Sequence, residues 1–591
     1  MKRLAFLAFL LLFVACSDDE PTGPGEPPDT SGVVAFWLTL LHNNDGESQL
    51  IDAGADREDF GGIARFAALV DQLRQAAAVP PAANRLTGSQ AVPAAAVLVT
   101  SGDNYLAGPE FNFSIQMGPP FLDAIGMDLI GYDALAIGNH EFDFGPDVLA
   151  DFIESFMLTM PPFLSSNLDF SAEPRLQGLV GIGAIAESTV VDKAGQMIGI
   201  IGATTPDLRS ISSPRDVIIM ADVAAQIQIE VQRLEGMGVN KIILISHLQS
   251  LDEELALIPQ LDGVDIVVAG GGDELLANPS DDLIPGDVAD PRGYPVIAFD
   301  TDRTEIPVVT TSGNYLYVGR LVVGFNDDGE IIQREGSSGP VRVAGGANAD
   351  AVTPDPSVQA QVVDPVEAGL EGLANNIIGT SEVDLDGLRI SVRNFETNEG
   401  NLIADALKWQ AEQLAGAFGV APPDVALQNG GGIRNDTVIP AGTITELATF
   451  DMVPFSNFVS VLENISRDQF KLLLENAVSA LPGGGRFAQV SGFSFVYDDA
   501  AADGARVTEV TLDDGTMIVV GGVVQAGPSL TVATIDFLAR GGDDYPFDGA
   551  PFTTLGVTYQ QALFNYIVDG LGGTITAADY PVGGEARITE L

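Results

Sequence analysis

A chain of 591 residues is too long for one hydrophobic core, and 46% apolar residues with 66 glycines and 35 prolines point to two or three globular α/β domains rather than disorder. Its 82 acidic against 27 basic residues give a formal net charge of −55, which counts against a nucleic-acid partner. The same field repels a phosphorylated small molecule, so a site for one needs local cations.

At the N-terminus, Lys2 and Arg3 precede an apolar run from Leu4 to Ala15, too short to span a bilayer and built like the hydrophobic region of a signal peptide. The run ends in LLFVAC and is followed by a Ser/Asp/Pro/Gly tract. This resembles a bacterial lipoprotein signal: residues 1–15 a signal peptide, Cys16 lipidated, and 16–33 a flexible tether. Cys16 is the only cysteine, so no intramolecular disulfide can form. The implied location is outside the cytoplasm, periplasmic or anchored at the outer membrane or cell surface, with the lipid as the only membrane contact.

From Val33 onward strands and helices alternate. FWLTLLH reads as a strand, GGIARFAALVDQLRQAA as an amphipathic helix and AAAVLVTSGD as a second strand. A short buried strand, Ala134 to Ile137, is broken by Gly138, and Asn139, His140, Glu141 and Asp143 follow at once. Next come a helix from Pro146 to Phe156, a β-rich stretch through GQMIGIIGATT, a helix ADVAAQIQIEVQRLEGMG, and the strands NKIILISH and VDIVVAGGGD. Five apolar strands thus end in polar tips: Asp45/Glu47, Asp103, Asn139/His140, His247 and Asp273. Ligands of open α/β sheets bind at carboxyl strand ends, so these tips are expected along one edge of the sheet. Carboxylates, an amide and imidazoles gathered there suit a metal-assisted phosphoryl-transfer site. GNHEFDFG by itself also reads as a capped strand end feeding a helix; its repetition at four other tips is what points to a metal centre. Beyond Arg320, REGSSGPVRVAGGANADAVTPDPS reads as interdomain and SVQAQVVDPVEAGLEGLANNIIG as a connecting helix. The last part carries a helix at GNLIADALKWQAEQLAGAF, the turn NGGGIR, and FLARGGDDYPF.

With GNHEFDFG and NGGGIR as its most specific parts, the chain resembles the 5′-nucleotidase family over nearly its whole mature length. The resemblance implies an α/β fold. A calcineurin-like metallophosphoesterase sandwich of two sheets flanked by helices occupies 34–343, an interdomain linker and helix 344–379, and a separate α/β nucleotide-binding domain 380–591. It implies two divalent metal ions bridged by Asp103, with Asp45, Asn139 and His247 as ligands, His140 as the catalytic histidine and Asp143 as its orienting partner. Two motifs depart from the family. NDGE places Glu47 at a histidine-ligand position, and GGGD places Gly271 and Asp273 where two histidines are common. Glu47 and Asp273 can still coordinate; Gly271 cannot, leaving Asn104, Glu274 or water to fill the gap. Such an oxygen-rich set favours Ca²⁺, Mg²⁺, Mn²⁺ or iron over Zn²⁺.

In the second domain Arg389 and Arg393 of LRISVR, and Gly431 and Arg434 of NGGGIR, match contacts to the substrate phosphate or ribose. Phe455 and Asn457 of PFSN, with Phe537 and Asp543 of FLARGGD, match the base and ribose pocket, although each Phe alone also reads as core. The implied activity is an exported metal-dependent phosphomonoesterase acting on nucleoside 5′-phosphates, or phosphomonoesters broadly, through a metal-bound water. The alternatives are a 2′,3′-cyclic nucleotide phosphodiesterase and a non-catalytic nucleotide-binding surface lipoprotein with a decayed metal site. The sequence does not indicate an oligomeric state.

Overall fold

The strand Phe36–Asn43 is buried along its whole length, because it lies inside a sheet covered on both faces. It pairs parallel with Ala94–Thr100 and antiparallel with Tyr317–Phe325. Ala134–Ala136, Phe163–Leu164 and Ile185–Ala186 continue this eight-stranded sheet in parallel. Facing it is a six-stranded sheet in the order Val296–Phe299, Glu305–Val309, Ile266–Val268, Ile242–His247, Gln196–Thr204, Ser188–Lys193. The computed structural model describes residues 32–54, 57–81, 92–272, 274–455 and 457–591. Cys16, the signal segment, nearly all of the tether, and Asp273 lie outside them.

Alternation along each strand divides the two apolar layers. Leu38, Leu40, Val97 and Val99 turn inward to meet Ile200, Leu244 and Val267 of the other sheet. Leu41, Leu98 and Leu135 turn outward, onto Phe66 of the helix Ile63–Ala77, Met127 of Leu122–Ile130 and Phe152 of Pro146–Glu154. The sandwich agrees with the two-sheet α/β expectation. The expectation that all the polar tips leave one sheet does not hold. Asp45, Asp103 and Asn139 follow strands of the first sheet, while His247 ends a strand of the second. Close approach of the sheets brings the two edges together. A Cβ on Gly202, in the second sheet, would stand 2.2 Å from the Leu164 carbonyl oxygen of the first, so only glycine fits.

The predicted connecting helix runs from Pro356 to Asn375, with a π-turn over Gln359–Val363. The Asp355 side chain accepts from the Ser357 and Val358 N–H groups and so caps its start. Val358, Val362, Val363 and Val366 are buried in the core that serves the first sheet. Among the described residues no helix is long and apolar enough to cross a membrane.

The second domain is built on a five-stranded sheet in the order Ala488–Ser491, Val425–Asn429, Leu530–Ile535, Phe458–Ile465, Phe552–Thr558. Against it packs the helix Asn398–Phe418, started by a Thr397 cap and ended by Gly419 in the left-handed conformation. Leu402, Ile403, Ala406, Leu407 and Ala411 recur at helical spacing and form its buried face.

Glu399, in the first turn of that helix, is fully buried. It accepts from Asn435 Nδ2 at 3.2 Å, while Oε1 finds no partner. Burial pushes its carboxyl up to about 8 from 4.5. For an acid whose pKa is raised by folding, the protonated native form is favoured. The stability gained is therefore full below pH 4.5 and is lost as pH rises toward 8. Glu399→Gln, which cannot ionise, is expected to match the parent's Tm near pH 4.5 and exceed it at alkaline pH. A Tm difference that stays constant with pH would refute this.

Candidate metal centre and substrate cleft

Each donor stands where a strand gives way to a loop, and the loops are folded tightly enough to strain their residues. Asp45, Glu47 and Asp103 have φ of 47°, 49° and 49°, in the left-handed region that L residues occupy at a cost of roughly 1–3 kcal/mol each. Backbone bonds from Asp45 N to Gly102 O (3.0 Å) and from Glu47 N to Asp103 O (3.1 Å) hold the turns against each other. Gly138 admits Asp103: a Cβ there would lie 2.2 Å from Asp103 Oδ1.

The donors converge. Asp103 Oδ2 is 2.9 Å from His247 Nε2 and 3.8 Å from His140 Nε2, and Asp103 Oδ1 accepts the His140 backbone N–H at 2.8 Å. His247 Nε2 is 3.0 Å from Asn139 Oδ1. Asp45 Oδ2 accepts from Gly271 N at 3.1 Å and from Asn44 Nδ2 at 2.5 Å. Asp45, Asp103 and His247 each bring a ligand atom within 4.8 Å of the others, as do Glu47, Asp103 and His140, so Asp103 belongs to both groups. The donor chemistry fits divalent cations. His247 gives its Nδ1 to the Ser101 carbonyl at 2.8 Å, an outer contact that aims Nε2 at the site.

The electrostatics are those of crowded, buried charge. Burial first, then Asp103 and Glu47, push the Asp45 carboxyl up to about 7 against the pull of His247. Burial would also raise Asp103, but His247 and His140 bring it below its ordinary value. Burial opposes the charge on both imidazoles, yet Asp103 for His247, and Asp143 with Asp103 for His140, push each up to about 10.

Gly271 leaves no hole. Its φ is 87°, and a Cβ there would stand 2.8 Å from the Gln249 backbone and 2.9 Å from His247 Nε2. Glu274 is engaged elsewhere, whereas Asn104 is held through its amide nitrogen and its buried Oδ1 has no partner. Asn104 Nδ2 donates to Glu141 Oε1 at 2.9 Å. Glu274 Oε1 accepts from Leu251 N at 3.3 Å and lies 3.9 Å from Arg292. It is Gln249 whose amide reaches Asn139 Oδ1, at 2.6 Å. Glu141, the last residue of GNHE, also has a role that spacing could not reveal. Its carboxylate accepts from Gly138 N (2.6 Å), Asp103 N (3.1 Å) and Asn104 N (2.7 Å), tying two donor loops together from behind.

Facing the donors is a cleft of about 320 Å³. From the first domain Asn139, His140, Asp143 and Gln249 line it. All the residues expected from the second domain line it too: Arg389, Arg393, Gly431, Arg434, Phe455, Asn457, Phe537 and Asp543. His140 Nδ1 is 2.6 Å from Asp143 Oδ2, and Ser212 donates to Asp143 Oδ1 at 2.9 Å. Arg393 is 9% exposed, and its buried Nε has no partner. Burial, with Arg389 and Arg434 close by, lowers its pKa to about 10. The Arg434 guanidinium lies 5.6 Å from the centre of the Phe455 ring.

Phe455 packs against the cores of both domains and Phe537 against that of the second, so each ring is at once core and cleft wall. A Cβ on Gly542 would collide with the Phe537 ring at 2.5 Å. Asp543, at φ 51°, accepts from Asn429 Nδ2 at 2.6 Å, a cleft residue that sequence reasoning missed. A larger hollow, about 700 Å³ around Asp265, Asp300 and Glu330, is lined by none of these residues, so size does not mark the site.

The profile described as 5′-nucleotidase, C-terminal domain, matches residues 377–548. The crystal structure of a 5′-nucleotidase precursor from Thermus thermophilus superimposes with a TM-score of 0.69 at 30% identity, covering 94% of this chain and 99% of that one. The chain belongs to the 5′-nucleotidase family. Another family relative, the trifunctional nucleotide phosphoesterase protein YfkN of Bacillus subtilis (strain 168), is 29% identical over 557 residues; these are 89% of this chain but only 33% of YfkN. The human 5′-nucleotidase is 28% identical over 524 residues, 86% of this chain and 84% of the human one. The relatives so named are hydrolases of phosphoric esters, and the C-terminal profile falls on the second of the two domains described above.

Proposed function

We propose that the chain is an exported, metal-dependent phosphomonoesterase that hydrolyses nucleoside 5′-phosphates. Its best support is the single cleft in which His140 and Asp143 of one domain face Arg393, Arg434 and the two phenylalanines of the other. In this reading 34–343 is the catalytic domain, 344–379 the join and 380–591 the substrate domain. Asp45, Glu47, Asp103, Asn139 and His247, with Asp273 as the family motif implies, would hold two divalent cations, Asp103 belonging to both donor groups. Oxygen donors make Mg²⁺, Mn²⁺, Ca²⁺ or iron better suited than Zn²⁺. When bound, the cations neutralise charge on the phosphoryl oxygens and lower the pKa of water.

The remaining work falls to the chain's own residues. Protonated His140, its Nδ1 held by Asp143, donates from Nε2 to an oxygen of the transferring group as charge builds there. Arg389, Arg393 and Arg434 form a positive hollow in a chain of net charge −55, and Arg393 Nε has a donor to spare. Phe455 and Phe537 stack on the base, Asn457 reads its edge, and Asp543, steadied by Asn429, takes the ribose hydroxyls. The Lys2/Arg3 start, the apolar run Leu4–Ala15 and Cys16 support export as a lipoprotein.

The test is release of inorganic phosphate from AMP, p-nitrophenyl phosphate and 2′,3′-cyclic AMP, with each divalent metal supplied in turn. AMP is expected to be the best substrate. Faster turnover of the cyclic ester would move the reading to a phosphodiesterase, and silence on every pairing by folded protein would end it. Phe537→Ala is expected to raise KM for AMP about tenfold with kcat little changed, since stacking contributes roughly 1–3 kcal/mol per base. KM for p-nitrophenyl phosphate should stay put; an equal rise for both esters would contradict base stacking.

A further inference from the structure

Gln249 stands outside every motif that the sequence singles out, yet it is placed as a metal ligand would be. Its backbone is at φ 88°, a conformation that strains any residue but glycine. Its side chain enters the site, with the amide nitrogen 2.6 Å from Asn139 Oδ1. Asn139 Oδ1 is in turn 3.0 Å from His247 Nε2, which is 2.9 Å from Asp103 Oδ2. Neighbouring ligands around an octahedral ion with bonds of about 2.1 Å are about 3 Å apart. The three contacts that join these four side chains therefore have the spacing of neighbouring ligands.

Position 271 supplies the second, independent observation. The Gln249 backbone occupies the space a side chain on Gly271 would need, at 2.8 Å from its Cβ. An imidazole at 271 and Gln249 as it stands exclude each other.

We infer that Gln249 is the fourth protein ligand of the second cation, its carboxamide oxygen serving where Gly271 offers nothing. This rests on the two-cation reading given above. A half-turn of the terminal amide puts Oε1 in the place of Nε2, a change that leaves the side-chain path and the packing around it alone. The cation then has one imidazole nitrogen and three oxygens from Asp103, Asn139 and Gln249. That set suits a hard octahedral ion such as Mn²⁺ or Mg²⁺ that keeps its remaining positions for water or phosphate.

The experiment is titration of the chelator-stripped full chain with Mn²⁺ alone, followed calorimetrically and by the paramagnetic resonance of free Mn²⁺. Gln249→Gly removes the amide and suits the left-handed backbone, so folding is safeguarded. The parent is expected to bind two Mn²⁺ per chain. Gln249→Gly is expected to hold one as before and the other at least about tenfold more weakly, while the Tm of its metal-free form equals or exceeds the parent's. Gln249→Glu, which returns an oxygen at the same reach, should restore the lost affinity.

Two Mn²⁺ held by Gln249→Gly with parental affinity would overturn the assignment of Gln249 alone. Failure of Gln249→Glu to restore the weakened site would overturn it as well. Fewer than two Mn²⁺ in the parent would overturn the two-cation reading, and this assignment with it.

Discussion

Asp103→Ala is expected to lower kcat for AMP by at least about a thousandfold, or about 4 kcal/mol of transition-state stabilisation. Among the described residues, no other carboxylate is common to both donor groups. It lies against both His247 and His140, and it receives the His140 backbone N–H, so its removal disturbs both donor groups and the loop that carries His140. Steady-state kinetics with metal analysis of the purified variant is the check. A variant that keeps two ions per chain and loses less than tenfold in kcat would sink the proposed bridge.

His140→Asn is expected to cost about 10²–10³ in kcat with little change in KM, the loss seen when a single donor to developing negative charge is removed. Its side chain is 18% exposed and lines the cleft, with Nδ1 taken by Asp143 at 2.6 Å and Nε2 3.8 Å from Asp103 Oδ2, so Nε2 is the nitrogen left to meet substrate. Asp143→Asn should cost less, because it alters how the ring is held rather than removing it. If His140→Asn instead raised KM and spared kcat, the histidine would be a binding group and the assignment of roles would be wrong.

The chain order of strands and helices, and the two-part α/β architecture, can be read from apolar periodicity and polar strand tips. The donors were legible because carboxylates, amides and imidazoles cluster where apolar runs stop. Which sheet each tip leaves was not. Parallel strands of two facing sheets look alike in sequence, and the convergence depends on a close approach at Gly202. The cleft residues come from segments near 390, 432, 456 and 540, and no local spacing brings these together; only the family resemblance did. The bracing role of Glu141, and Gln249 altogether, went unread for a different reason. A carboxylate that braces backbone N–H groups and one that binds an ion have the same one-letter code, and a glutamine after a histidine is unremarkable until its backbone angle is known.

The helix Pro356–Asn375 has a bearing on how the molecule can be divided. Its valines at 358, 362, 363 and 366 sink into the first domain's interior, although the helix follows that domain's last strand. Proteolytic nicking ahead of Pro356 would strip the first domain of a piece of its own interior and leave an adhesive valine stripe on the other fragment. A cut at Asn376, where the helix ends and Ile377–Ser381 begins, separates the halves without uncovering a single one of those side chains.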